Sequence, residues 1–147
     1  PSIHLFIIGE GEERPELEAK IKNLGLEHVI ILLGFNNDAR SAIGGLDIFV
    51  LPSLKEGLPY AIMEAMTVGL PVIASNVGGI PDLVSHNETG MLVPPKNPKA
   101  LAEAIRLLAQ NRERRMTFGK RAGDIVRTKF PLHAMLEKTQ QLYETAY

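Results

Sequence analysis

The 147-residue sequence contains no cysteine, which removes a disulfide framework and any thiolate metal site. Long hydrophobic runs are also missing: the apolar stretch from Val29 to Leu33 falls far short of the roughly 20 residues that cross a bilayer. No stretch near the start has the charged-then-apolar layout of a signal peptide, so the expectation is a soluble chain in a reducing cytoplasm. Neither sign of charge is in excess. Lys plus Arg number 16 and Asp plus Glu 17, so no large positive field points to nucleic acid. Basic residues do cluster late in the chain (Arg112, Arg114, Arg115, Lys120, Arg121, Arg127, Lys129). They alternate with apolar residues at helical spacing and read as a solvated helix face. The histidines His4, His28, His86 and His133 show no paired ligand spacing, and no metal site is expected.

What is present is a chain with 45% hydrophobic residues, enough for one domain over residues 1–147 with a real core. Short β-rich runs alternate with helical patterns: Ile3 to Ile8, then Pro15 to Leu24; Val29 to Leu33, then Asp38 to Leu46; Ile48 to Leu51, then Pro59 to Val68. Pro71 to Ala74, a short helix from Pro81, and Met91 to Val93 continue the rhythm. Such alternation predicts an α/β domain, a mainly parallel, doubly wound sheet with strands buried on both faces. Gly25 closes the first helix, and Asn97-Pro98 opens a late one in which Leu101, Ile105 and Leu108 repeat at helical spacing. Two further helices, about Arg112 to Thr128 and Leu132 to Tyr147, are separated by Pro131, so the tail is helical.

Open parallel sheets bind ligands beyond the carboxyl ends of their strands. Gly9-Glu10-Gly11 follows the first strand, allowing either a tight turn or a close backbone approach. Gly34-Phe35-Asn36-Asn37 follows the second, where main chain could read a planar base or where Asn37 or Asp38 simply caps a helix. The loop Pro52-Ser-Leu-Lys-Glu-Gly-Leu-Pro59 is the most informative. Gly57 frees the backbone before a helix, Pro59 suits the first helical position, and the amides of Tyr60 and Ala61 lack intrahelical partners. A diphosphate is a natural guest for such an end. Glu56 would be repelled by that phosphate, so a role for it implies a hydroxyl-rich group beyond, such as a sugar. Glu64, among Ala61, Ile62, Ala65 and Met66, should be partly enclosed and hydrogen-bonded; vicinal ribose hydroxyls would serve. Without further support, Glu56 in solvent and Glu64 on an exposed helix face would be the plainer reading. Asn76-Val-Gly-Gly-Ile-Pro-Asp82 leads into another helix at the same sheet edge.

Pro52-Ser53, Glu56 to Met66, Gly69-Leu-Pro-Val-Ile-Ala-Ser75, Gly78-Gly79-Ile-Pro-Asp82 and Thr89-Gly90-Met-Leu-Val-Pro94 resemble, in order and spacing, the C-terminal domain of retaining GT-B glycosyltransferases of the group 1 type. The likeness runs from the Ile8-Gly-Glu-Gly11 turn to Leu142-Tyr143. It implies a Rossmann-like half of a GT-B fold that binds a nucleotide-diphosphate sugar without a metal or other cofactor. It further implies that Glu64 bonds the ribose hydroxyls and that Glu56, the catalytic-site candidate, orients the donor sugar without being a nucleophile. Gly57, Leu58, Pro59, Tyr60 and Ala61 then lie along the sugar and diphosphate. Phe35 falls where the base is held by main chain, Gly11 is a donor-binding position, and Ser53, Gly78 and Gly79 match structural or lining positions.

Three departures from the family pattern stand out. Asp82 replaces the usual Glu after Pro81, and Leu58-Pro59 stands where many members have Phe-Gly. By the same resemblance, the chain lacks the N-terminal acceptor domain and the first strand-helix unit, with its diphosphate-neutralising Gly-Arg and Lys. The first strand is central in a 3-2-1-4-5-6 sheet. The expectation is therefore that Ile3 to Ile8 and Ile48 to Leu51 pair directly, or that another segment or a second copy fills the gap by self-association. The expected function is the donor-binding part of a glycosyltransferase, nearly inert alone, in an enzyme that is cytoplasmic or peripheral to the membrane. The alternatives are a non-catalytic nucleotide-binding module of the same fold and a sugar-nucleotide epimerase, whose catalytic acids cannot be placed here.

Overall fold

A computed structural model describes residues 3–36 and 42–145. The chain forms two compact units, residues 1–42 and 43–147, each with its own parallel sheet. The first is a βαβ unit: β1 (Leu5–Ile8), α1 (Arg14–Asn23) and β2 (Ile30–Gly34). The two strands run parallel from Leu5 opposite Ile30, with a register slip that places Ile8 opposite Gly34. Helix α1 stops where Gly25 turns to φ +64°, a left-handed position open to glycine at no steric cost. There the Gly25 amide donates to the Lys22 carbonyl and the Leu26 amide to that of Ile21, each at 3.0 Å. Arg14 opens the helix between two carboxylates, donating to Glu18 and Glu10. The hydrogen bond to Glu18, followed by the charge of Glu10, raises the guanidinium pKa above its ordinary value.

The second unit runs β3 (Phe49–Leu51), α2 (Tyr60–Thr67), β4 (Val72–Ser75), α3 (Ile80–Leu83), β5 (Gly90–Val93), α4 (Pro98–Gln110), α5 (Arg112–Lys129) and α6 (Leu132–Thr145). Its sheet has the order β3-β4-β5, all parallel. The middle strand is wholly buried and faces two cores by the period-2 alternation of strand side chains. Val72 and Ala74 join Ile62, Met66, Ile80 and Leu83 in one cluster. Ile73 meets Ala104, Leu108 and Phe118 in the other. Helices α2 and α3 therefore contribute to one core and α4 to the other, while α5 supplies Ala122 and Val126 to the first and Phe118 to the second.

Helix α5 reaches the end of α2 through a close backbone approach. A Cβ on Gly119 would lie 1.9 Å from the Gly69 carbonyl oxygen, so only glycine fits. Asn111 lies between α4 and α5 and caps the second, its side chain accepting from the Arg114 amide at 2.8 Å. Arg115 then reaches back to the last carbonyls of α4, donating to Leu108 at 2.8 Å and Ala109 at 2.9 Å. Two of the basic residues read as a solvated face thus have structural duties, since Arg114 also stacks over Phe118 at 5.2 Å. Lys120 and Arg121 are exposed.

Most expected elements are present within a residue or two of their predicted bounds. For the helix expected over Asp38 to Leu46, the expected start and the cap at Asn37 or Asp38 fall on residues 37–41, which lie outside the described residues; so do Ala146 and Tyr147. Of the two alternatives for the first strand and Ile48 to Leu51, direct pairing is absent among the described residues, where β1 is laddered to β2 and β3 to β4 in separate sheets. One expectation needs correction. Burial on both faces holds for β4 alone: Leu5, Phe6, Ile31 and Leu33 are 38%, 40%, 37% and 46% exposed. A continuous apolar run does not ensure two covered faces, because coverage depends on helices packing on each side. Among the described residues, β4 alone has a strand ladder on both edges as well.

Gly119→Ala should lower unfolding free energy by about 1–3 kcal/mol in a urea titration; ordinary helix propensity alone would make it stabilising by roughly 1 kcal/mol, so a gain in stability would contradict the close approach. Leu108→Ala, fully buried in the wild type, should cost about 2–5 kcal/mol in the same assay. Asn111→Ala should cost about 1 kcal/mol, visible as a lower melting temperature.

Candidate functional site

The loop after β3 is built around a short hydrogen bond. The Ser53 hydroxyl Oγ donates to Glu56 Oε1 at 2.7 Å, and both residues are half-buried. Glu56 is therefore held by the loop, not extended into solvent. Pro59, expected at the first helical position, is instead the N-cap of α2, with extended backbone at ψ 115°. Its side chain cannot accept a hydrogen bond, so the N-cap residue gives this end no side-chain cap. The Ile62 amide already bonds the Pro59 carbonyl at 3.2 Å. Tyr60 and Ala61 thus contribute the helix-opening amides, as the sequence pattern requires.

Glu64 is half-buried in the middle of α2. It lies four residues after Tyr60 and three after Ala61, hence on their side of the helix, with its Cα–Cβ bond tilted back toward the N-terminus. Ile62, Ala65 and Met66 take the opposite, buried side. The partial enclosure expected of Glu64 is present.

Gly78 and Gly79 pack on the backbone of the Glu loop. The Gly79 amide donates to the Gly57 carbonyl at 2.8 Å. A Cβ on Gly78 would come within 1.9 Å of the Glu56 carbonyl oxygen, and one on Gly79 within 2.5 Å of that of Gly57. Gly78 also holds φ +54°. This contact was not foreseen from the sequence; the available signal was a glycine pair at the end of one strand facing a glycine loop at the end of its neighbour. Gly57 differs. Its φ is ordinary and nothing lies within 4 Å of a Cβ placed there. The fold around it gives no steric reason for glycine.

In the first unit, the Gly9 amide donates to the Gly34 carbonyl at 2.8 Å, which joins the loops that follow β1 and β2. Gly11 begins the turn into α1 by accepting from the Arg14 amide at 3.1 Å, and open space surrounds its missing Cβ. Phe35 is 74% exposed. Gly11 and Phe35 thus share one sheet edge of this unit, while Ser53, Glu56 to Ala61, Glu64, Gly78 and Gly79 share one of the other.

Two hollows also open at the carboxyl ends of β4 and β5. One, of about 430 Å³, is lined by Asn76, His86 and Leu92 to Pro95; the other, of about 200 Å³, includes Pro52, Ser75, Val93 and Lys96. Neither lining includes Glu56 or Glu64. Among the described residues, no group of three or more His, Cys, Asp or Glu could hold a metal ion, and no helix is long and apolar enough to cross a membrane.

Comparison with known proteins follows the same residues. The chain is 36% identical over 146 residues to the amylovoran biosynthesis glycosyltransferase AmsK of Erwinia amylovora, covering 94% of this chain and 36% of that protein. It is 31% identical over 143 residues to the N-acetyl-alpha-D-glucosaminyl L-malate synthase of Bacillus anthracis, covering 97% of this chain and 36% of that one. The chain thus spans rather more than a third of the length of these relatives. Among solved structures, Anabaena HepE in complex with UDP-glucose superposes with a TM-score of 0.92 at 27% identity, covering 99% of this chain and 42% of that chain. The α/β fold with parallel sheets and C-terminal helices is that of these glycosyltransferases. Residues 1–124 match the model of the family described as glycosyl transferases group 1, and to that family the chain belongs.

Proposed function

We propose that this chain is the donor-nucleotide-binding part of an enzyme that transfers a sugar from a nucleotide-diphosphate sugar to an acceptor hydroxyl with retained anomeric configuration. The observation that carries the reading is the loop from Ser53 to Ala61: a carboxylate fixed by a hydroxyl, next to a helix end whose N-cap residue, Pro59, offers no side-chain cap. The helix-opening amides and the positive end of the α2 dipole suit a diphosphate. Gly57, glycine without an internal reason to be so, lets a ligand approach the backbone. Leu58, Pro59, Tyr60 and Ala61 then border the diphosphate, and Glu56 accepts hydrogen bonds from sugar hydroxyls. Glu64, on the Tyr60 side of the helix, takes the ribose hydroxyls. The likeness to HepE, whose structures hold UDP and UDP-glucose, supports a nucleotide-sugar ligand, and the order of motifs supports retention.

In this reading the departing diphosphate carries developing negative charge, which fixed dipoles stabilise without reorganisation. The acceptor site and further positive groups belong to the remainder of the full-length enzyme, which lacks a role for a metal ion in the reading and works in the cytoplasm or against its membrane face. The isolated chain should bind donor and turn over almost nothing.

Glu64→Ala should weaken UDP binding by about 1.5–3 kcal/mol, the worth of hydrogen bonds to a charged group, or roughly ten- to a hundredfold in Kd by isothermal titration calorimetry. Wild-type affinity in that variant would remove Glu64 from the nucleotide.

A further inference from the structure

We propose that Ser53 is a positioning residue for Glu56, and that Gly78-Gly79 complete the same device by fixing the backbone on which Glu56 stands; the inference rests on the donor-binding reading above. The two ends of Glu56 are held by different chemistry. At the carboxylate, Oε1 accepts the Ser53 hydroxyl at 2.7 Å. An ionised carboxylate offers about four lone-pair sites on two oxygens, so one such bond orients the group while leaving Oε2 available to ligand hydroxyls.

At the main chain, the glycine pair allows a fit that no side chain could provide. The Gly79 amide is bonded to the Gly57 carbonyl at 2.8 Å, and Cβ atoms at 78 and 79 would fall 1.9 Å and 2.5 Å from the carbonyl oxygens of Glu56 and Gly57. Gly78 and Gly79 follow β4, the buried middle strand, so the contact ties the Glu loop to the most rigid part of this unit. A glutamate has several rotors to freeze on binding. Fixing them beforehand moves that entropy cost from the ligand-binding step to folding, which raises affinity only for the part of the ligand that Glu56 touches. Ser53 therefore acts through Glu56 on the sugar and leaves the nucleotide diphosphate alone. A hydroxyl that merely stabilised the loop would affect both.

The test compares UDP with UDP-glucose, and GDP with GDP-mannose, by calorimetric titration of the full chain and of Ser53→Ala, Glu56→Ala, the double variant and Gly79→Ala. Ser53→Ala should weaken the nucleotide sugar by up to about tenfold, the cost of immobilising one rotamer-rich side chain on binding, and leave the nucleotide diphosphate unchanged. In the Glu56→Ala background the Ser53 substitution should have no further effect, since its route of action is gone. Gly79→Ala, which displaces the Gly57 backbone that carries both Glu56 and the diphosphate-facing amides, should weaken the nucleotide sugar and the nucleotide diphosphate together. Equal weakening of both ligands by Ser53→Ala, additive effects in the double variant, unchanged sugar discrimination in Ser53→Ala, or wild-type affinity for both ligands in Gly79→Ala would overturn the positioning role with nucleotide binding intact. Absence of binding by any of the four compounds to the wild-type chain would instead overturn the donor-binding reading, and this inference with it.

Discussion

Strand β4 is the constraint on which the second unit depends. Its alternate side chains are divided between two hydrophobic clusters, Val72 and Ala74 in one and Ile73 in the other, and its two edges are both laddered. A strand enclosed in all four directions cannot slip by one residue without exchanging its two sets of packing partners. The position of Ser75 and of the loop beyond it is set accordingly. The glycine pair at 78 and 79 inherits that precision and transmits it to the Glu56-Gly57 backbone by direct main-chain contact. Placement of an acidic side chain on a surface loop is thus determined by burial several residues away.

The helices at the end of the chain support the same strand from the other side. Leu108 and Phe118 cover Ile73, and the α4–α5 junction is held by Asn111, which accepts the Arg114 amide, and by Arg115, which donates to the carbonyls of Leu108 and Ala109. Gly119 brings α5 against the turn that follows α2. Helix α2, which carries Glu64, is therefore held at its C-terminal end, while its N-terminal end has in Pro59 an N-cap residue without a side-chain cap. By contrast α6 buries none of its side chains; Leu132, Leu142 and Tyr143 are 66%, 70% and 68% exposed.

Much of this was legible from residue pattern. Gly25 and Asn97-Pro98 marked helix ends because each has a specific local mechanism, a left-handed turn and a side-chain cap. The α/β class followed from strand-helix alternation, and the motif order led to the family. The less legible features are non-local. Burial of β1 and β2 could not be read from their apolar runs, since hydrophobicity states a preference and not the presence of a cover. Pro59 lies one position earlier than its usual place in a helix, a shift within the tolerance of any boundary. The Ser53–Glu56 hydrogen bond spans only three residues, yet nothing in a Ser-x-x-Glu spacing distinguishes it from a helix capping box; here it forms in a loop. Glycine roles diverged most. Gly57, Gly78 and Gly79 look alike in sequence, but only the latter two are required by neighbouring backbone atoms.

That division has an evolutionary corollary. Main-chain atoms make the junction between the two loops, with the Leu58 side chain close to Gly79; the neighbouring side chains of Leu54 and Tyr60 are 61% and 68% exposed. They are free to diverge without unsettling the acidic group beside them. A lineage can exchange these residues to suit a new carbohydrate while the scaffold beneath is inherited unaltered.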